Sequence, residues 1–276
     1  MKDLHPILHF DQVRFLDQSN FIHIPAMQSF ATDDALCLSV SEGISTPTAR
    51  LWVHDRTIVL GIPDSRLPHL QEGIKFLQAN GYQIVVRNSG GLAVVLDPGI
   101  LNLSLIFPTG KKLGIHDGYE AMVSFVKELF MPEQVNIEAY EVVGSYCPGD
   151  YDLSINGKKF AGISQRRVKD GTAVQIYMCV DGSGSERAAL VQQFYEKGLQ
   201  GESSRFTYPD IQPDSMASLS ELLGKPITVE DIRNRILYKL NEISNTIKTE
   251  PLNDQELVWF EKRLEQMVER NEKVFG

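Results

Sequence analysis

The Asn156-Gly157 pair constrains the fold more than any other feature, because it stands between two stretches of strand-like composition. Asn-Gly is the strongest two-residue signal for a type I′ turn, which joins neighbouring antiparallel strands. We therefore expect residues 152–155 and 158–166 to pair as a β-hairpin. The glycine- and proline-containing loop 144–150 leads into the first strand and carries Cys147.

Cys147 and the two lysines that follow the turn, Lys158 and Lys159, indicate thiol chemistry. The thiolate is the reactive form of cysteine, and a neighbouring cation lowers the pKa of a thiol from about 8.5. A cysteine beside a lysine therefore predicts covalent acyl transfer. Strand alternation predicts two opposite faces, one with Lys159, Ala161 and Ile163, the other with Lys158, Phe160 and Gly162. The alternative is that Cys147 is an inert small residue and both lysines are solvated.

The rest of the chain alternates between strand-like and helix-like patterns. We expect further strands at residues 49–62, 83–87, 92–96, 101–107, 135–143 and 172–180. We expect helices at residues 29–41, 68–80, 117–130, 185–195, 229–248 and 254–274. Strands joined by tight turns dominate the middle of the chain, which predicts an α+β fold with a mostly antiparallel sheet and flanking helices.

The pattern changes near Thr207, where prolines interrupt the chain and two charged amphipathic helices follow. We therefore expect a catalytic domain at residues 30–205 and a helical extension, packed on it, at residues 206–276. The last two helices contain no cysteine or histidine. They are expected to form a packed hairpin or an interaction face.

Composition excludes several functional classes. The 276 residues carry a net charge of −9 with scattered lysines and arginines, which disfavours nucleic acids and membranes as partners. Three cysteines make no disulfide framework, and no apolar run reaches the ~20 residues of a membrane span, so we expect a cytoplasmic protein. The six histidines are dispersed, and no metal site is expected. Cys37 and Cys179 lie in helix-like and strand-like runs and are expected to be buried.

A glycine motif, Arg87-Asn88-Ser89-Gly90-Gly91-Leu92, lies between two expected strands. Adjacent glycines let a ligand approach the backbone closely, and their amides can face a carbonyl or a phosphate. The alternative is a plain hairpin turn. The motif fits neither the P-loop nor the dinucleotide-binding pattern.

Together with Asn102-Leu103-Ser104 and Gly157-Lys158-Lys159-Phe160-Ala161-Gly162, this motif resembles the lipoate ligase and octanoyltransferase superfamily, which includes biotin ligases. The order of motifs holds over about residues 30 to 200. The loop around Cys147, twelve residues before Lys159, looks like the cysteine-dependent octanoyltransferase branch. Within this resemblance, Leu92 and Leu96 stand where the wider superfamily usually has a glycine and a histidine. The bulk of Leu92 in the glycine loop argues against nucleotide binding.

The resemblance implies a biotin/lipoate ligase-like domain that works without a cofactor. It implies an amidotransferase of lipoate biosynthesis that moves an octanoyl group between lipoyl-carrying proteins. The donor would be the octanoylated glycine cleavage H protein, and the acceptor a lysine of the lipoyl domains of 2-oxoacid dehydrogenases.

In this reading, Cys147 forms the acyl thioester, and Lys159 favours its thiolate and assists proton transfer. The residues expected to bind the acyl group are Arg87, Ser89, Gly90, Gly91, Leu92, Ala161 and Gly162. Arg87 is either structural or in contact with the acceptor, and backbone amides near Gly90, Gly91 and Gly162 are candidates for the oxyanion site.

Three alternatives remain open from the sequence. The first is a sibling octanoyltransferase that takes its acyl group from acyl carrier protein. The second is an ATP-dependent lipoate ligase, against which Cys147 and Leu92 both argue. The third is a non-catalytic binding module on the same fold, in which Cys147 would be dispensable.

Overall fold

The computed structural model describes residues 4–109 and 114–276. Its strands are β1 Phe10–Gln18, β2 Thr48–Trp52, β3 Thr57–Leu60, β4 Gln83–Val86, β5 Val94–Leu96, β6 Ile100–Pro108, β7 Ile137–Ala139, β8 Leu153–Ile155, β9 Lys158–Val168, β10 Gly171–Cys179 and β11 Ser244–Lys248. Its α-helices are α1 Ala26–Ser41, α2 Leu70–Ala79, α3 Ile115–Leu129, α4 Gly184–Leu199, α5 Leu219–Leu223, α6 Val229–Ile243 and α7 Asp254–Phe275. Most expected elements are therefore present, with shifted ends.

Eight strands form one large sheet in the order β11-β1-β2-β6-β10-β9-β8-β7. Strands β11, β1 and β2 run parallel to one another, and every other neighbouring pair is antiparallel. The hairpin expected at Asn156-Gly157 is confirmed as the pair β8–β9. The fold is thus α+β with a mostly antiparallel sheet, as the sequence predicts.

A second sheet of three strands has the order β4-β3-β5. The strand-like segment 49–62 is therefore divided between two sheets, because β2 belongs to the large sheet and β3 to the small one. Strands β4 and β5 lie on opposite sides of β3 rather than beside each other. The glycine motif between them is consequently a crossing loop, and the interpretation as a plain hairpin turn is wrong.

Apolar side chains cover both faces of the large sheet. One core lies under α3 and α6 and includes Phe125 and Ile236. A second core lies between the two sheets with α2 and α4, and includes Leu77, Val95 and Phe194. Helix α1 is buried along almost its whole length. Within the described ranges, none of the helices has the length and apolar character that crossing a bilayer requires.

The C-terminal segment differs from the expected helical hairpin. Residues 244–248 form β11 instead of continuing α6, and they extend the large sheet beside β1. Helix α6 packs on α3, whereas α7 packs along α1 and contacts β4. Both helices are therefore fixed against the body of the fold, although not against each other as a hairpin. The division at residue 205/206 stays a prediction.

Candidate active site

The loop that carries Cys147 has a strained backbone at the cysteine. Cys147 adopts a φ of +45°, in the left-handed region that residues with a Cβ rarely populate. Such conformations persist where the surroundings fix them, and they concentrate at functional sites. The Cys147 side chain is partly exposed, whereas Cys37 and Cys179 are buried as expected, and burial raises the pKa of both thiols, that of Cys179 to about 12.

The buried side chain of Lys159 holds this loop through hydrogen bonds and an ion pair. Its ammonium is fully buried and lies 2.9 Å from Asp152 Oδ1. It also donates to the carbonyl oxygens of Tyr146 and Cys147, each at 2.9 Å, and to Ser145 Oγ at 3.2 Å. Burial raises the pKa of Asp152, and the Lys159 charge opposes that rise. The lysine is therefore engaged with the loop backbone and the carboxylate.

The thiol receives its hydrogen bonds from the glycine motif instead. The backbone N–H of Leu92 donates to Cys147 Sγ at 3.1 Å, and Arg87 Nη2 lies 3.4 Å from the same sulfur. Arg87 Nη2 also donates to the Leu92 carbonyl oxygen at 2.7 Å. Gly91 has a φ of +106°, which residues with a Cβ rarely adopt, and a Cβ there would lie 2.1 Å from Arg87 Nη2 and 3.0 Å from Sγ. One guanidinium and one backbone amide thus face the sulfur as hydrogen-bond donors.

A β-bulge changes which residues of β9 face the site. Leu153 pairs with Ala161 and Ser154 with Lys159, so Phe160 is an extra residue in β9. Phe160 and Ala161 both lie in the core under α3, whereas Lys159 and Gly162 are on the side of Cys147. The expected alternation, with Lys159 and Ala161 on one face and Gly162 on the other, is therefore wrong.

A cavity of about 250 Å³ opens beside the thiol. Six of the nine predicted site residues line it, namely Arg87, Ser89, Gly90, Gly91, Cys147 and Gly162. Lys159 and Leu92 adjoin the site through the bonds described above. Ala161 is packed in the core below the sheet. The volume is just below the ~300–1,000 Å³ of pockets for drug-sized ligands, so the cavity suits a slender ligand.

Two polar residues that shape the site, Asp152 and Asn271, are not among the site residues expected from the sequence. Asp152 comes directly before β8, two residues before Ser154, which pairs with Lys159, and its carboxylate reaches the Lys159 ammonium. Asn271 of α7 hydrogen-bonds both the N–H and the C=O of Val86, immediately before Arg87. No local sequence signal connects Asn271 with β4, because 185 residues separate Asn271 from Val86.

Comparison with known proteins agrees with this geometry. Residues 25–241 match the family described as the lipoyl protein ligase A/B catalytic domain. The chain belongs to this family. Two similar proteins are named octanoyl-[GcvH]:protein N-octanoyltransferase. The protein of Oceanobacillus iheyensis is 54% identical over 99% of each chain. That of Bacillus velezensis is 57% identical over 95% of this chain and 93% of its own.

Solved structures show the fold of the lipoyl protein ligases. A lipoate-protein ligase A bound with ATP has a TM-score of 0.69 at 16% identity, covering 93% of this chain and 95% of that one. The bipartite lipoate protein ligase of Thermoplasma acidophilum, described with its E2 lipoyl domain, has a TM-score of 0.69 at 18% identity, with coverages of 97% and 98%. These likenesses confirm the predicted fold.

Proposed function

We propose that this chain moves an octanoyl group from octanoylated glycine cleavage H protein to a lysine of lipoyl domains, through a thioester on Cys147. The observation that carries the proposal is the environment of the Cys147 thiol. Its sulfur lies at a cavity for a slender ligand and faces the Leu92 N–H and the Arg87 guanidinium. The names of the relatives supply the donor and the acyl group.

In the first half-reaction, the Cys147 thiolate attacks the octanoyl carbonyl of the donor's lysyl amide. The C–N bond then breaks, the leaving nitrogen takes a proton from water, and the octanoyl group remains on sulfur. Negative charge develops on the carbonyl oxygen in between. The Leu92 N–H and the Arg87 guanidinium lie within hydrogen-bonding distance of the sulfur, and we assign to them the stabilisation of the charge on that oxygen.

In the second half-reaction, the free amine of an acceptor lysine attacks the thioester, the new amide nitrogen releases a proton to water, and Cys147 leaves as thiolate. Forming an amide from a thioester is downhill, whereas the first half-reaction is uphill by a similar amount. The exchange therefore needs no nucleotide, and the supply of donor and acceptor sets its direction. A reaction without a nucleotide is in keeping with Leu92 and Leu96, which the family resemblance places where the wider superfamily has a glycine and a histidine.

We assign Lys159 a positioning role that supports the nucleophile. Its hydrogen bonds go to the backbone carbonyls on both sides of the Tyr146–Cys147 peptide link, to Ser145 and to Asp152. These bonds fix the left-handed conformation that presents the thiol. The further role in proton transfer, expected from the family resemblance, stays a prediction.

A sibling activity with octanoyl-acyl carrier protein as donor is the second candidate. The same thiol and cavity would serve it, and only the surface that binds the donor would differ. The high identity to proteins named for GcvH favours the H protein as donor.

We place the reaction in the cytoplasm, in keeping with three free cysteines.

The test is the intact mass of the protein after incubation with octanoylated H protein. We expect a gain of one octanoyl group that hydroxylamine removes and that a lipoyl domain accepts. Cys147→Ala should abolish the adduct, whereas the matched control Cys37→Ala should retain it, because Cys37 is buried in α1.

Two results would redirect the proposal. An adduct that forms only from octanoyl-acyl carrier protein would select the sibling activity. Full transfer by Cys147→Ala would exclude the covalent mechanism and leave a binding module or a direct transfer between the two proteins.

A further inference from the structure

The glycine motif begins at the outer strand of the small sheet. Among the described strands, β4 pairs only with β3, in the order β4-β3-β5. The Arg87 N–H donates to the Leu60 carbonyl oxygen at 3.0 Å, so the polar backbone groups of Val86, one residue earlier, point away from β3. Backbone groups at such an edge lack a partner strand. Arg87 therefore leaves the sheet from a strand end that needs support.

Asn271 of α7 supplies that support with its side-chain amide. Asn271 Oδ1 accepts from the Val86 N–H at 2.7 Å, and Nδ2 donates to the Val86 carbonyl oxygen at 3.1 Å. The amide thus takes the place of a peptide group in a neighbouring strand. Nδ2 also donates to the Met267 carbonyl oxygen, one turn earlier in α7, at 2.8 Å, which fixes the orientation of the amide. Asn271 and Val86 are both buried, so water does not readily replace these bonds.

Helix α7 is held on the body of the fold by other contacts. A buried ion pair joins Glu256, in its first turn, to Arg14 of β1 at 2.8 Å. Met267 packs in the core between the two sheets, and Trp259 packs against residues of α1. An apolar side chain at position 271 could pack as Met267 does, without the cost of burying an amide. The contact of Asn271 with Val86 is therefore not required for docking the helix.

The position of Val86 is transmitted to the reacting sulfur through a single residue. The Arg87 side chain is buried, donates from Nη2 to the Leu92 carbonyl oxygen at 2.7 Å, and lies 3.4 Å from Cys147 Sγ. A hydrogen bond depends steeply on distance and angle, so a small displacement of the Arg87 backbone would break the contact with sulfur. A 1 Å misplacement of a group at a reacting centre can cost about a hundredfold in rate.

We propose that Asn271 is a positioning residue, which fixes the end of β4 so that the Arg87 guanidinium faces the Cys147 sulfur and the carbonyl that it attacks. The inference rests on the proposed octanoyl transfer for the role of Arg87 at the carbonyl oxygen. Asn271 is not among the residues that line the cavity, so it acts through Arg87. The family match ends at residue 241, before α7, so this contribution comes from outside the matched segment.

The first test compares the rates at which iodoacetamide alkylates Cys147. Asn271→Leu removes both hydrogen bonds to Val86 and should slow alkylation about fivefold, as expected for the loss of one hydrogen bond at the sulfur. Arg87→Met removes the guanidinium itself and should slow it further. The double variant should react no more slowly than Arg87→Met alone, because Asn271 then has no guanidinium to position. Multiplying effects would show that Asn271 acts independently of Arg87 and would overturn the inference.

The second test measures octanoyl transfer from octanoylated H protein to a lipoyl domain. In Asn271→Leu, kcat should fall about tenfold and KM should stay within about twofold, since the protein surface that binds the donor is unchanged. A rise in KM at constant kcat would place Asn271 in donor binding, and unchanged values of both would remove its role.

Glu256→Gln is the matched control on the same helix. It weakens the ion pair that anchors the other end of α7 and leaves the contact with Val86 intact. Its transfer and alkylation rates should equal those of the unmodified protein at temperatures where both are folded. A loss as large as that of Asn271→Leu would assign the effect to the docking of α7 as a whole. If Asn271→Leu does not unfold cooperatively, Asn271→Asp, which keeps the acceptor for the Val86 N–H, gives the same comparison with a smaller effect.

Alkylation separates this inference from the proposed function, because it requires no acyl donor. If the unmodified protein forms no acyl adduct but Asn271→Leu slows alkylation as expected, the transfer reaction is refuted and the positioning of Arg87 by Asn271 stands. If the adduct forms and Asn271→Leu alkylates at the unmodified rate, the positioning role is refuted and the transfer reaction stands.

Discussion

Two loops meet at the Cys147 sulfur, and they are held in opposite ways. The cysteine loop, residues 144–150, is held by the buried Lys159–Asp152 pair. Lys159 also donates hydrogen bonds to the carbonyl oxygens of Tyr146 and Cys147 in this loop. The glycine loop, residues 87–92, exposes Gly90 and Gly91, and several of its buried polar atoms have no partner among residues 4–109 and 114–276. The fixed loop presents the nucleophile, whereas the open loop supplies the groups that bind charge.

This difference separates stability from reactivity. Lys159 lies only twelve residues from the cysteine in sequence, but its contacts are those of a structural support. Arg87 lies 60 residues from Cys147 in the chain, yet it contacts the sulfur. Substitutions in the support of the cysteine loop should therefore act mainly on folding, and substitutions in the glycine loop mainly on the thiol.

Lys159→Met should produce the largest effect of all, on folding. It leaves the Asp152 carboxylate buried without its cation, which typically costs 3–5 kcal/mol. We expect that loss in the free energy of unfolding, measured with denaturant at pH 7. The loss should shrink at acidic pH, because Asp152 then takes up a proton.

The double variant Asp152→Asn/Lys159→Met is the control, since it removes both charges. It should recover much of the lost stability. If Lys159→Met has the same free energy of unfolding as the unmodified protein, the Lys159–Asp152 pair does not hold the cysteine loop, and the contrast between the two loops disappears.

The second prediction concerns Asp64, which lies beneath the glycine loop and accepts from Gly61 N–H and the Tyr195 hydroxyl. Burial raises the pKa of Asp64 to about 6. The folded state therefore binds a proton that the unfolded state has released, so this contribution to stability is present below pH ~4 and is lost as the pH rises through about 6. A shift of two units corresponds to roughly 3 kcal/mol.

Asp64→Asn should remove that dependence. Between pH 4 and 7 the unmodified protein should lose roughly 3 kcal/mol relative to the variant. Tyr195→Phe removes a hydrogen bond that lowers the pKa of Asp64, so its stability should fall over a higher range of pH. A constant difference between Asp64→Asn and the unmodified protein would show that Asp64 does not titrate in this range.

The sequence predicted most of what depends on local pattern. The Asn156-Gly157 hairpin, the helix ending near Gly81 and the α+β class follow from turn residues and periodicity. Strand β11 was mistaken for helix because its partner, β1, is more than 200 residues away in the chain. The bulge at Phe160 was missed because alternation assumes an uninterrupted ladder.

The site was predicted as a set of residues better than as an arrangement. Cys147, Lys159 and the glycine motif do come together. Which cation contacts the sulfur depends on the crossing of β4 and β5 around β3, which no local motif encodes. Sequence proximity indicates the pair Lys158 and Lys159, and the family resemblance indicates Lys159, whereas the topology brings Arg87 to the thiol.

Arg87→Met tests the glycine loop directly. Removing the guanidinium takes a cation from the sulfur and disfavours the thiolate, so iodoacetamide should modify Cys147 about tenfold more slowly at pH 7. Arg87→Lys keeps the charge without the planar fork and should retain part of the rate. The exposed Arg205→Met is the matched control and should react as the unmodified protein does. An unchanged rate in Arg87→Met would assign the activation of the thiol to Lys159 instead.

The smallest effect should come from the backbone of Cys147 itself. Its φ of +45° costs a residue with a Cβ about 1 kcal/mol, and glycine adopts the same conformation without that cost. Cys147→Gly should therefore be more stable than Cys147→Ala by about 1 kcal/mol, and both variants should be inactive. Thermal unfolding of the two variants measures the difference. Equal stability would mean that the cysteine loop relaxes when the thiol is removed, so that the thiol's own contacts with the glycine loop, rather than Lys159 and Asp152, hold its conformation.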